Sequence, residues 1–253
     1  MIKLTRVTAG YGKKEVLHGI TLEARRGEIL CVIGPNGCGK STMLKTIDGI
    51  ISLTSGSITA GGDEISSMKG KDKAKRIAYL PQERQIPEMT TEELVLKGRF
   101  PHLSFGSGYS KADRDAARLA IEKLGLEDYA ALPLSNLSGG IRQRAYVAMA
   151  LAQEADFILL DEPFTHLDVP HRYALADIMR CLAAEGRGII AVMHELADAL
   201  ALSDRIALID DGRLKFSGTA DELTATEMLS GTFGVRYHSI SCNGKVSYYP
   251  ERI

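Results

Sequence analysis

The chain has 253 residues, of which 45% are hydrophobic and 25% charged, with a net charge of −1. This is the composition of a soluble globular protein with a substantial core, and the near-neutral charge does not favour a nucleic acid or an anionic membrane as a partner. Four scattered cysteines without a C-x-x-C pair favour reduced thiols in a cytosolic protein. We expect neither a signal peptide nor a membrane span, because apolar runs approaching ~20 residues do not occur.

In chain order, the apolar pattern first predicts two strands, at residues 2–7 and 16–22. A continuous apolar run at 29–33 indicates a strand buried on both faces. Short strands are predicted at 57–59, before the turn Gly61-Gly62, and at 77–80, where Pro81 ends the run.

The segment after residue 33 fits the phosphate-binding pattern G-x-x-x-x-G-K-[ST]. Its glycines allow a tight turn with converging N–H groups, Lys40 adds a positive charge, and Ser41 offers a hydroxyl to Mg²⁺. A helix that Gly49 closes would direct its positive N-terminal end at the same anion. A chance glycine-rich turn is the alternative, which the strand–loop–helix context disfavours. The predicted nucleotide-binding residues are Gly34, Pro35, Asn36, Gly37, Cys38, Gly39, Lys40, Ser41 and Thr42.

From residue 90 to 152 the pattern becomes helical. Ser110 and Asp113 form a capping-box pattern at the start of one helix, which Gly125 ends. We expect the apolar face of this helix to consist of Ala116, Leu119, Ala120 and Leu124. Ser138 is a plausible N-cap of a further helix, and Gly139 and Gly140 leave its backbone N–H groups open to an anion. Taken alone, this segment would be an ordinary helix start.

Strand patterns return at 157–160 and 188–193, both continuous and apolar, as in a parallel sheet covered by helices. Asp211-Gly212 between two further apolar runs predicts a β-hairpin. Two carboxylates, Asp161 and Glu162, follow the strand at 157–160. An acidic pair at a strand end is usually solvated, but beside a phosphate loop it fits Mg²⁺ binding by Asp161 and orientation of the attacking water by Glu162.

Taken together, residues 34–42, Gln82, Leu137-Ser138-Gly139-Gly140, Asp161-Glu162 and His194 resemble the ordered motifs of the ATP-binding cassette (ABC) ATPases. The resemblance extends to about residue 218. It implies an α/β fold, with a P-loop NTPase core built on a mainly parallel sheet, an N-terminal antiparallel β region and an inserted helical subdomain. We predict an ATPase domain over residues 1–232, a helical insertion over about 84–153, and a tail of unknown role over 233–253.

The family pattern implies a role for each matching residue. Lys40, Glu162 and His194 would be catalytic, and the metal ion would be held by Ser41, Gln82 and Asp161. Tyr11 resembles the aromatic residue that stacks on adenine, and Gln82 would also belong to the ATP-binding residues. Ser138, Gly139 and Gly140 would form the signature segment, which contacts the ATP bound by a partner subunit. Asp168 would lie in the loop that communicates between the two ATP sites. Singly, Tyr11 would be a turn tyrosine and His194 a structural histidine.

The sequence departs from the family pattern at two positions. Ile141 stands where the signature usually has Gln, so a capping box at Ser138 is lost and a slightly weaker helix start is expected. Phe164 stands where Thr or Ser is frequent, and the sequence offers no physical account of it. Neither change affects the predicted catalytic residues.

The resemblance implies an ATPase that uses ATP and Mg²⁺ as cofactors and pairs with a second ABC subunit. A homodimer is our first expectation. Residues 82–110 would form the groove for a membrane permease, placing the chain on the cytoplasmic face of the membrane. Three segments resemble those of the importer branch for iron–siderophore, haem and cobalamin. They are Gly98-Arg99-Phe100-Pro101-His102, Thr165-His166-Leu167-Asp168 and Phe233-Gly234-Val235. We therefore expect an iron-chelate importer ATPase, served indirectly by a substrate-binding protein. Alternatives are a haem or cobalamin importer, a separate-subunit exporter, a soluble non-transport ABC ATPase acting in DNA repair or translation, or a regulatory nucleotide-binding module. We expect no nucleic acid as a partner, because the near-neutral charge offers no surface for a phosphate backbone.

Overall fold

A computed structural model describes residues 1–82, 84–104, 106–242 and 245–252 of the chain. The strands there form a four-stranded, a six-stranded and a two-stranded sheet. In chain order they are β1 (Ile2–Tyr11), β2 (Lys14–Ala24), β3 (Ile29–Ile33), β4 (Leu53–Ala60), β5 (Asp63–Glu64), β6 (Ile77–Leu80), β7 (Phe157–Asp161), β8 (Gly188–Val192), β9 (Arg205–Asp210), β10 (Arg213–Gly218), β11 (Val235–Cys242) and β12 (Lys245–Arg252).

The helices lie mainly in the connections of the six-stranded sheet. They are α1 (Lys40–Ile47), α2 (Gly70–Arg76), α3 (Thr91–Lys97), α4 (Lys111–Lys123), α5 (Gly139–Ala152), α6 (Val169–Ala184), α7 (Leu196–Leu202), α8 (Ala220–Thr224) and α9 (Met228–Phe233). Within the described ranges, none of them combines the length and the apolar character that crossing a bilayer requires.

The six-stranded sheet has the order β10-β9-β3-β8-β7-β6 and is parallel from β9 to β6. Only β10 is antiparallel, because it returns from β9 through the predicted hairpin. Asp211 and Gly212 at this turn both have positive φ, 46° and 65°, as a type I′ turn requires. All residues of β3, β7 and β8 are buried, which confirms the prediction from their continuous apolar runs.

Alternate residues of β3 face two different hydrophobic clusters. Ile29, Cys31 and Ile33 pack in the cluster that contains residues of α3 to α7. Leu30 and Val32 pack in the other, with α1 and the antiparallel sheet β2-β1-β4-β5. The central sheet is therefore covered on both faces, with α1 enclosed between it and the predicted N-terminal antiparallel region.

The helices α3, α4 and α5 lie between β6 and β7, as the helical pattern predicted. Ser110 and Asp113 form the predicted capping box at the start of α4. The predicted apolar face of α4 was wrong in part, because Leu119 is 59% exposed. The buried residues are instead spaced three and four apart on one side of the helix: Asp113, Ala117, Ala120, Ile121 and Leu124.

The segment Gly98-Arg99-Phe100-Pro101-His102 fastens the end of α3 to the C-terminal end of α5. Arg99, 7% exposed, donates to the carbonyl of Ala152 over 2.7 Å and forms ion pairs with Asp113 and Glu154. His102 Nε2 lies 2.9 Å from the carbonyl oxygen of Gln153. A cation beside the last carbonyls of a helix is favourable, because those groups carry the negative end of its dipole.

A close approach between α3 and α5 makes glycine necessary at position 98. A Cβ there would lie 2.2 Å from the carbonyl oxygen of Met149. Phe100, by contrast, is 62% exposed, as an exposed loop would have it. The segment at residues 98–102 therefore has a packing role on one side. On the other side it presents the exposed ring of Phe100, with Lys71 Nζ 5.8 Å from the ring centroid.

The C-terminal strands β11 and β12 form a separate antiparallel hairpin beside α7. Val235, Tyr237 and Tyr248 pack against the larger of the two hydrophobic clusters, the one that contains residues of α3 to α7. The Tyr248 hydroxyl donates to Asp221 over 3.0 Å. The predicted domain limits at 232 and 84–153 stay predictions. Positions 243, 244 and 253 of the predicted tail, and 83 and 105 of the predicted permease groove, lie outside the described residues.

Loss of the Arg99 side chain should destabilise the fold strongly. We expect Arg99→Ala to lower the free energy of unfolding by about 3 kcal/mol, because the Asp113 carboxylate would stay buried without a compensating charge, with only Ser110 still donating to it. Urea denaturation measures the change. Arg118→Ala in α4, whose ion pairs with Asp115 and Glu122 are exposed, should change the free energy by less than about 0.5 kcal/mol. Equal losses in the two variants would contradict the role given to Arg99.

Candidate functional site

The predicted phosphate loop connects the carboxyl end of β3 to α1. Gly34 has φ 155°, and a Cβ there would lie 2.0 Å from the carbonyl oxygen of Ile209. Gly39, the N-cap of α1, has φ 109° and supplies no side-chain cap. The first N–H groups of α1 are therefore left for another acceptor, which suits an anion at this helix start.

Lys40 is the first residue of α1, and its side chain turns back over the loop. It is 7% exposed, and Nζ donates to the carbonyl oxygens of Gly34 over 2.8 Å and Pro35 over 2.9 Å. An ammonium group has three N–H donors, so one remains for a phosphate oxygen. Cys38 is buried in the same loop, and this burial raises the pKa of its thiol.

Ser41 and Asp161 meet across the sheet edge. The Ser41 hydroxyl donates to Asp161 Oδ1 over 2.9 Å, and the Tyr79 hydroxyl donates to Oδ2 over 3.3 Å. Asp161 is only 3% exposed, and burial raises the pKa of its carboxyl group while the two hydrogen bonds oppose the shift. The phosphate loop and the first carboxylate of the acidic pair thus form one polar cluster.

Glu162 turns away from β7 in a left-handed conformation, with φ 50°. Its N–H donates to the carbonyl of Val192 over 3.0 Å, which ties its backbone to the end of β8. Its Oε2 accepts hydrogen bonds from Gln82 Nε2 over 2.7 Å and from Thr165 Oγ1 over 3.1 Å. The structure therefore places Gln82 on Glu162, and its predicted contact with Mg²⁺ stays a prediction.

His194 lies just beyond β8, beside the acidic pair. Its side chain is 55% exposed and lies 3.6 Å from the carboxylate of Glu195. Together with Glu162, Thr165 and His166, it lines a cavity of about 300 Å³. Tyr11 is 52% exposed at the end of β1, with its ring open to solvent.

The signature segment starts α5 in the predicted way. Ser138 is the N-cap, and its hydroxyl accepts from the Ile141 N–H over 3.3 Å. In the part of the chain that the structure describes, no hydrogen bond joins Ser138, Gly139 or Gly140 to the phosphate loop. This segment is instead in contact with the start of α6.

Asp168 is the N-cap of α6, and His171 connects it to the signature. The Asp168 carboxylate accepts from the His171 N–H over 3.1 Å and also contacts Nδ1 of that ring. The hydrogen bonds from His171 hold the pKa of the Asp168 carboxyl group below its usual range. A Cβ on Gly140 would lie 2.3 Å from the His171 ring. The two predicted inter-site elements therefore touch within one chain.

The two departures from the family pattern are both core residues. Ile141 and Phe164 are each 7% exposed and belong to the larger hydrophobic cluster. Apolar packing thus accounts for Phe164, which the sequence left unexplained. Tyr79 and His171 are not among the site residues predicted from the sequence, and Thr165 was singled out only within the importer-like segment 165–168. Thr165 and His171 each follow a predicted site residue by three positions.

A substitution pair tests the contact between the signature and α6. Gly140→Ala should lower the melting temperature by several degrees, because its methyl group would overlap the His171 ring. Adding His171→Ala should restore most of the loss, because all three close ring atoms disappear. Thermal unfolding of the single and double variants measures this, and Gly231→Ala, which meets no atom within 4 Å, is the matched control. Additive losses would contradict the contact.

Known proteins resemble this chain in sequence over most of its length. Residues 17–165 match the family model described as "ABC transporter". The chain is 39% identical over 228 residues to the iron(3+)-hydroxamate import ATP-binding protein FhuC of Bacillus subtilis (strain 168), covering 89% of this chain and 85% of that one. The manganese transport system ATP-binding protein MntB of the same strain is 37% identical, with 93% of each chain covered.

A solved structure described as the ATP-binding subunit of an ABC transporter is 28% identical to this chain. It superposes with a TM-score of 0.78 over 89% of this chain and 92% of its own. The family model spans more than half of the residues, and its fold is the one predicted from the motifs. The chain belongs to the ABC transporter family, as a subunit that binds ATP.

Proposed function

We propose that this chain hydrolyses ATP to drive an importer whose cargo is an iron chelate. The observation that carries the proposal is the meeting of Ser41 with Asp161 over 2.9 Å, with Glu162 next to them. A hydroxyl from the phosphate loop, a buried carboxylate and a second carboxylate in a cavity are the groups that phosphoryl transfer to water needs.

In this proposal the chain's own residues divide the work at the triphosphate. Lys40 and the N–H groups of residues 34–42 hold the phosphates. The third N–H of the Lys40 ammonium group stabilises the negative charge that develops on the phosphate oxygens. Glu162 orients the attacking water and accepts its proton, while Gln82 and Thr165 hold Oε2 and leave Oε1 for the water. His194, in the same cavity, would donate to the γ-phosphate. Tyr11 would stack on the adenine.

The oxygen donors at this edge fit Mg²⁺. Within the described ranges, no cluster of three His, Cys, Asp or Glu side chains suits a metal ion. Mg²⁺ is usually held by one or two carboxylates together with substrate phosphates and water. Ser41 and Asp161 supply hard oxygen ligands of this kind. Gln82 could add its carbonyl oxygen, because its bond to Glu162 uses the amide nitrogen. The ion would neutralise negative charge on the phosphates.

A second subunit would complete the site. Because the signature Ser138, Gly139 and Gly140 starts a helix away from the chain's own phosphate loop, it is free to approach the ATP of a partner. Two copies paired head to tail would each supply one loop and one signature, with Asp168 between the sites. A homodimer needs no further chain and is our first proposal.

The cargo is the least constrained part of the proposal, because it would pass through separate permease subunits without touching this chain. The identity with the iron(3+)-hydroxamate relative and the segment at residues 98–102 support an iron chelate. A permease partner would hold the chain at the cytoplasmic face of the membrane, with a substrate-binding protein acting outside. Manganese, haem and cobalamin are the other cargoes from which experiment has to distinguish the iron chelate.

Removing the charge of Glu162 should separate binding from hydrolysis. Glu162→Gln should lower kcat for ATP at least about 100-fold, because the amide cannot accept the proton of water. Calorimetric ATP affinity should stay within about twofold and an ATP-bound dimer should accumulate on size exclusion. Lys40→Ala should instead weaken ATP binding about tenfold or more. Glu122→Gln, an exposed carboxylate on α4, is the control, and normal turnover by Glu162→Gln would refute the assignment.

Uptake by intact cells tests the importer and its cargo together. The chain should co-purify with a polytopic permease, and cells with Glu162→Gln should lose energised uptake of radiolabelled ferric hydroxamate. Haem, cobalamin and Mn²⁺ are supplied to the same cells in parallel. Loss confined to one of these three would replace the cargo and keep the importer. Retention of every uptake, with the chain found free of membranes, would overturn the transport proposal.

A further inference from the structure

Arg84 fastens the segment that leaves β6 onto the signature helix α5. Its Nε donates to the carbonyl of Pro81 over 2.8 Å, and its Nη2 donates to Gln143 Oε1 over 2.9 Å. The guanidinium carbon lies 4.3 Å from the centroid of the Tyr146 ring, a cation–π distance. The Tyr146 hydroxyl in turn donates to the carbonyl of Gln85 over 3.1 Å.

Gln143 extends this contact to the acidic pair. Its Nε2 donates to the carbonyl of Pro163 over 3.1 Å, one residue beyond Glu162. Because Gln82 donates to Glu162, the hydrogen bonds and the backbone close a ring. The members of the ring are Pro81, Gln82, Glu162, Pro163, Gln143 and Arg84.

The orientation of the Gln143 amide depends on Arg84. An amide accepts at oxygen and donates at nitrogen, so the guanidinium that occupies Oε1 directs Nε2 toward Pro163. Arginine suits this position because its planar fork donates in two directions while its face lies on an aromatic ring. Lysine would keep the charge and part of the stacking, without the two fixed directions.

We propose that Arg84 is a positioning residue for ATP hydrolysis, which acts through Gln143 to hold the backbone beside Glu162 in register with the loop of Gln82. The inference rests on the proposed role of Glu162. The ring also makes α5 a rigid link from the acidic pair to the signature glycines. Arg84 therefore affects the chemical step and leaves the grip of the phosphate loop on ATP unchanged.

Steady-state kinetics of the full chain with Mg²⁺ and ATP test the proposal. Arg84→Ala and Gln143→Ala should each lower kcat about tenfold, with KM and the calorimetric ATP affinity within about twofold of wild type. The double variant should also lose about tenfold, because both substitutions break one ring. Arg118→Ala removes an exposed arginine from the neighbouring α4 and should leave kcat unchanged.

Arg84→Lys separates positioning from packing and covers the case in which Arg84→Ala does not fold. Its melting temperature should approach that of wild type, while kcat stays low. Wild-type kcat in Arg84→Lys, unchanged kcat in Gln143→Ala, or a hundredfold loss in the double variant would each overturn the inference. A wild-type chain that binds ATP without hydrolysing it would instead reject the proposed function, and this inference with it.

Discussion

The parallel register of four neighbouring strands is the constraint on which the candidate site depends. Leu80 pairs with Leu160, Leu160 with Ala191, and Val32 with Val192, so β6, β7, β8 and β3 end at one edge. Parallel strands separated by about 4.8 Å bring the loops that follow them within side-chain reach. The loops carry Gln82, the acidic pair, His194 and the phosphate segment. The hydrogen bond from Ser41 to Asp161 joins groups that follow β3 and end β7, two strands apart in the sheet, and α1 packs against β7.

That edge also explains why Glu162 has a strained backbone. A non-glycine residue with φ 50° costs free energy, and such residues persist where the surroundings fix them. The bond from the Glu162 N–H to Val192 fixes the backbone to β8, and Gln82 fixes the side chain from the loop after β6. Glu162 is therefore held by residues that end or follow the two strands beside β7. A movement of either neighbouring loop can change the position of the Glu162 carboxylate.

Local patterns predicted those parts of the fold in which a few neighbouring residues decide the structure. The run at 29–33, the turn Asp211-Gly212 and the capping box at Ser110 are all of this kind. The face of α4 was predicted in part wrongly, because Leu119 lies next to the apolar stripe and only tertiary packing selects the buried side. Tyr79 lies 82 residues from Asp161 in sequence, and Gln143 lies 59 residues from Arg84, so no local spacing could reveal their contacts.

The position of α5 would connect the helix to both ATP sites of the proposed head-to-tail pair. Its first turn carries Gly139 and Gly140, which would lie on the partner's nucleotide, and Gln143 one turn later holds the carbonyl next to Glu162. A helix is stiff over so short a distance, so a shift of the acidic pair must displace the signature or break the Gln143 bond. His171 against Gly140 adds a second contact, from the segment that begins with Asp168. In the proposed pair, packed side chains would thus join the groups that act on the chain's own ATP to those that complete the partner's site, with no need for a flexible loop between them.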